Sequence, residues 1–222
     1  MEISEVDLKK IAKECFENVF RTDTEHPGFA HIDLGKDIDS SELRSIMVAL
    51  KNELSHHTSK AFNKKLAYHW LVRFDQQVNT PYHVDNAGDQ SFLMLGYEPS
   101  NIKSELYLAD YYKFAQESDD APKEYLENFS PVFKDDERLL SSFITKIEPF
   151  KKDTYNIVLI NNSNPTIERE TLGVFHKATM LNPDPNKRRI VNSMLINMVH
   201  RDFIDEDENS EAAFMKTDVV SK

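Results

Sequence analysis

Apolar residues recur at helical spacing in two stretches near the start of the chain. Leu8, Ile11, Ala12, Cys15, Phe16 and Val19 share one face of a 3.6-residue helix. Ser4 followed by Asp7 resembles a capping box at its start. Leu43, Ile46, Met47, Leu50 and Leu54 repeat the pattern, with Asp39 and Glu42 as a second cap. His26-Pro27-Gly28 marks a turn between them. From about residue 66 the period shortens. Residues 68–74, 91–97, 105–108, 143–147, 155–160, 174–180 and 190–199 are apolar runs bounded by Asn, Asp, Pro or Lys clusters, which predicts strands. An acidic, aromatic insert with some helical character interrupts the series at about 110–142. Two helices followed by about eight short strands predict an α+β arrangement with a mainly β core, a barrel or jelly roll buttressed by helices. The expected organisation is one domain over 1–222: N-terminal helices in 1–65, the β core in 66–199 and an acidic tail in 200–222.

Composition narrows the classes. With 222 residues and 14 Phe there is enough apolar mass for a sizeable core. No apolar run is long enough to span a membrane, and the acidic start lacks the form of a secretory signal. The single cysteine, Cys15, excludes an internal disulfide framework, so a reducing, cytoplasmic setting is expected. Without a secretory route the triplet Asn161-Asn162-Ser163 has no meaning as a glycosylation site. The net charge of -11 is concentrated at 117–127 and 202–208, the latter expected to be a solvated, mobile end. A chain this acidic repels nucleic-acid backbones and anionic membranes. The expected partner is therefore a small molecule or a protein side chain; oligomeric state is not legible.

Candidate chemistry centres on His83-Val84-Asp85. In an extended segment residues two apart point the same way, so His83 and Asp85 converge and Tyr82 and Val84 turn away. His176 lies 91 positions beyond Asp85, on a predicted strand. Two histidines and one carboxylate occupy one face of an octahedron and leave three positions open, which suits Fe(II) and a bidentate 2-oxo acid. The acid's far carboxylate needs a buried cation, and an arginine offers it a two-pronged fork. Arg188 and Arg189 are adjacent and either can turn inward; Arg189 is preferred because it shares a face with Val191, Ser193 and Leu195. The Ser193 hydroxyl is placed to donate to the same carboxylate. Arg73 is a weaker candidate for meeting substrate. His56 and His57, adjacent on a helix, point in different directions and do not form a metal pair.

These residues resemble the 2-oxoglutarate- and Fe(II)-dependent dioxygenases, especially the prolyl-hydroxylase-like branch. His83-Val84-Asp85 and His176 match that family's metal motif, and Arg189 with Ser193 four residues on matches its cosubstrate site. The middle strand, Ser104-Glu105-Leu106, lacks the glycines that the family often carries there. The resemblance spans roughly 66–199. It implies a double-stranded β-helix (cupin-like jelly roll) and an iron centre at His83, Asp85 and His176. It also implies oxidation of a substrate, typically by hydroxylation, as 2-oxoglutarate and O2 become succinate and CO2. The alternative is a cupin-like metal-binding or scaffold protein without oxygenase activity; a metal-free β-sandwich is a third. The insert and the loop at 161–171 are candidate lids, because binding residues favour such loops.

Overall fold

The computed structural model describes residues 5–165, 170–204 and 207–221, and the chain forms a mixed α/β structure dominated by antiparallel sheets. Helix α1 (Glu5–Val19) is followed by strand β1 (Phe29–Gly35) and helix α2 (Ser40–Ala61). The first helix's expected cap at Ser4 lies outside the described residues. The second helix starts where Asp39 predicts: its carboxylate accepts from Ser41 N–H and Glu42 N–H, while Glu42 reaches back to Asp39 N–H. Asn63 reverses the chain in the left-handed region (φ 56°), which Asn tolerates, and β2 (Lys64–Asp75) begins.

Strands β3 (Ser91–Tyr97), β6 (Tyr155–Asn161) and β8 (Ile190–His200) complete a five-stranded antiparallel sheet in the order β1-β6-β3-β8-β2. A smaller antiparallel sheet contains β4 (Ser104–Ala109), β5 (Ile144–Lys146) and β7 (Phe175–Met180), in the order β5-β4-β7. Strand β1 was not anticipated. It is a half-buried edge strand whose His31 and Asp33 break the apolar signal.

Alternation along the strands separates two cores. Phe92, Met94, Ile157, Leu159, Met194 and Ile196 turn toward Leu43, Met47 and Leu50 of α2. Their neighbours Leu93, Leu95, Val158, Ile160, Val191 and Leu195 turn the other way and meet Leu106 and Leu108 of the small sheet. At Gly96 the helix comes so close that a Cβ would stand 2.4 Å from Met47 Sδ, so any larger residue there requires Met47 to shift.

The 110–142 insert forms its own core on the outer face of the small sheet. Asp110 caps α3 (Tyr111–Glu117), and a 3₁₀ helix (Glu137–Phe143) returns the chain to β5. Tyr111, Phe129 and Phe133 pack against Phe175, with ring centroids 4.9, 5.4 and 6.1 Å away. The insert is thus a packed aromatic layer, contrary to its expected role as a lid. The tail also departs from expectation: helix α4 (Asp207–Lys216) packs on α2 and β2 and buries Phe214. Part of the acidic run at 202–208, residues 205 and 206, lies outside the described residues. Among the described residues no helix is long and apolar enough to cross a membrane.

Candidate metal centre

The connection from β2 to β3 carries His83 across to the small sheet. His83 N–H donates to His176 O (3.0 Å) and His176 N–H donates to His83 O (2.9 Å), so the two histidines lie directly opposite each other. On the other side, Val84 N–H donates to Pro131 O and Phe133 N–H donates to Tyr82 O. The segment is extended, as the sequence suggested, but it forms isolated bridges and not a full strand. Tyr82 and Val84 enter the aromatic core of the insert, leaving His83 and Asp85 on the inner side. On β7 the same alternation sends Phe175 outward and His176 inward.

His83, Asp85 and His176 each present a ligand atom within 4.8 Å of the others. His83 Nε2 is 3.4 Å from Asp85 Oδ1, and His176 Nε2 is 4.0 Å from Asp85 Oδ2. Neighbouring ligands on an octahedral ion with bonds of about 2.1 Å stand about 3 Å apart, somewhat closer than these separations. His83 Nδ1 lies 2.9 Å from Pro81 O and therefore carries the proton, leaving Nε2 as the ligand nitrogen. Burial, aided by the charge of His83, pushes His176 down to about 4, so its imidazole is neutral at ordinary pH. Burial favours the neutral form of His83 too. The hydrogen bond to Asp85 and the Pro81 carbonyl outweigh it and hold that pKa above the usual imidazole value. Burial would raise Asp85, but the facing imidazoles hold it below the usual carboxylate value. Two neutral-capable nitrogens and an ionised carboxylate are a donor set that fits a divalent first-row metal.

No family model matches the chain, and no curated protein does.

The three residues line a cavity of about 220 Å³ between the two sheets. Ser193 lines it as well, opposite Val72 and Leu95 in the strand ladders. Arg189 is buried at 5% exposure and Arg188 is exposed, which settles which of the two turns inward. Arg189 stands behind the cavity wall and not in it. Its Nη1 donates to Gln76 Oε1 and its guanidinium lies 4.8 Å from the centre of the Tyr97 ring; both Gln76 and Tyr97 line the cavity. Among the described residues no carboxylate forms an ion pair with it. Burial accordingly lowers its pKa. Arg73 faces the helical layer, paired with Glu98 at 3.0 Å, and does not reach the cavity. No residue of 110–142 lines the cavity either. Of the second candidate lid, residues 166–169 lie outside the described residues, while Asn161, Asn162, Ser163 and Thr171 at its ends are fully buried.

Asn162, dismissed in the sequence as part of an empty glycosylation triplet, braces the centre. Its Oδ1 accepts from Asp85 N–H (2.7 Å), and its Nδ2 donates to Asp85 O (3.0 Å) and Ser91 Oγ (2.9 Å). The only legible sign was an amide-rich end to an otherwise apolar strand. Asn162→Ala is expected to weaken Fe(II) binding by about 10-fold, as losses of outer supporting groups do. Anaerobic calorimetric titration of a protein with unchanged circular dichroism checks this; unchanged affinity would refute the bracing role.

Proposed function

We propose that the chain is a non-haem Fe(II)- and 2-oxoglutarate-dependent dioxygenase that oxidises a small molecule or a protein side chain, with hydroxylation as the typical outcome. The observation that carries this reading is one cavity bearing the His83, Asp85 and His176 donors, with a buried guanidinium behind its wall that meets no carboxylate among the described residues. A buried cation without an acid is costly, and a dianionic cosubstrate is a chemically apt counter-charge. The finer fold reading goes with it: two antiparallel sheets facing each other across Leu93, Leu106 and Val158 support a double-stranded β-helix.

In this reading His83, Asp85 and His176 hold the metal. Bound Fe(II) supplies oxygen activation coupled to conversion of 2-oxoglutarate to succinate and CO2. Arg189 binds the far carboxylate, which must displace Gln76 as an acceptor at Nη1, and Ser193 donates a second hydrogen bond. The largely apolar walls exclude water, and burial keeps His176 in the neutral form that can ligate a metal.

The test is anaerobic addition of Fe(II) and then 2-oxoglutarate, followed by assay for succinate in air. A visible charge-transfer band and succinate formation are expected. Arg189→Leu should raise the 2-oxoglutarate requirement by about 100-fold, the worth of a charge-assisted, two-pronged contact, while leaving Fe(II) affinity intact. A band without succinate would support the metal-binding scaffold instead. Absence of Fe(II) binding by folded protein would remove both readings.

A further inference from the structure

Resting on the oxygenase reading, we propose that the primary substrate offers a neutral, apolar, side-chain-sized group, and that Trp70 and Val78 at the cavity rim select it. Among the described residues, no charged side chain lines the cavity apart from His83, Asp85 and His176. A charged substrate group would therefore enter without a partner, which is strongly unfavourable. Besides Gln76, Thr80, Tyr97 and Ser193 the walls that remain are apolar, among them Trp70, Val72, Val78, Leu106 and Ala178.

Strand register separates the two ends of this space. Along the β2–β8 ladder, Asp75 faces Ile190 next to Arg189, Val72 faces Ser193, and Trp70 faces Leu195. A cosubstrate clamped by Arg189 and Ser193 thus occupies one end, and Trp70 stands beyond it at the other. Trp70 is 40% exposed and Val78 70% exposed, although both line the cavity. Apolar side chains of that size left open around a cavity mark where an apolar ligand is received. The volume, about 220 Å³, is below the roughly 300–1,000 Å³ typical of sites that enclose a whole drug-sized ligand. With the cosubstrate sharing it, only a small group enters, and the rest of the substrate lies across the rim.

Trp70 is the chain's only tryptophan, so its fluorescence reports this rim directly. Full-length, metal-free protein would be titrated with N-acetyl-leucinamide and N-acetyl-phenylalaninamide, and in parallel with N-acetyl-lysinamide and N-acetyl-glutamate. Saturable emission changes are expected from the neutral pair alone. Val78→Asp, at an exposed position that should not disturb folding, is expected to weaken them by about 10-fold, since it sets a charge against an apolar group. A parallel arm presents the same leucine inside an acetylated pentapeptide. Saturation at a lower concentration than the single amide assigns a protein substrate, and the converse a small molecule. Equal or stronger responses to the charged probes, no response to any, or indifference to Val78→Asp would each overturn the proposal. Succinate release is measured separately. Apolar binding without succinate would sink the oxygenase reading and leave the apolar site standing. Succinate with the wrong probe preference would do the reverse.

Discussion

His176→Ala is expected to lose Fe(II) binding by more than about 100-fold, exceeding the effect of removing an outer supporting group, while the metal-free protein stays as stable as before. The two halves of this result come from different atoms. Metal affinity needs the imidazole, one of only three donors in the cluster. The fold needs the backbone of residue 176, whose two hydrogen bonds to His83 survive the change to alanine. The imidazole itself contributes little to stability, since it is buried with Nδ1 unpartnered and such groups carry a desolvation penalty. Thermal denaturation gives the clearest readout. Added Fe(II) should raise the wild-type Tm by mass action and leave that of His176→Ala unmoved. A mutant that still gains stability from Fe(II) would show that the metal binds elsewhere.

Arg21→Met is expected to lower stability by about 3–5 kcal/mol, the usual result of breaking a buried ion pair from one side. Arg21 follows α1, and its side chain is fully buried. It donates to Leu172 O (2.9 Å), His26 O (2.8 Å) and Gly173 O (3.1 Å), and pairs with Asp110 Oδ2 at 2.5 Å. One guanidinium thus ties the end of α1, the N-cap of α3 and the segment that leads into β7. Removing it strands Asp110, itself only 11% exposed, and leaves three carbonyls short of donors. In urea the midpoint should fall with an unchanged slope. The double variant Arg21→Met, Asp110→Asn should recover part of the loss. If Arg21→Met costs less than about 1 kcal/mol, as an exposed pair would, the anchoring role is wrong.

The parts of this molecule that sequence discloses are those whose signal is local. The Asp39–Glu42 cap, the apolar stripe of α2 and the strand from Ser91 to Tyr97 are each written in adjacent residues, and each forms as expected. The His83, Asp85 and His176 grouping was legible because strand alternation turns His83 and Asp85 the same way and the three together match the motif of the family that the chain resembles. What stayed hidden depends on distant partners. Strand β1 exists because β6 offers it an edge, and α4 because α2 and β2 shelter Phe214. The insert was a candidate lid on the strength of its length alone, while its rings pack on Phe175, whose outward direction follows from strand alternation. Asn162 gave little signal because it acts through the backbone of a residue 77 positions away.

The pairing of His83 with His176 also dictates when the centre comes into being. A chain emerging from the ribosome displays His83 and Asp85 early, yet their register against His176 is set only once β7 has been made and docked. Two of the three donors on an unfinished chain make a weaker site for a metal ion than the complete set. The three donors are thus brought together only late in synthesis, after most of the fold that encloses them has been made.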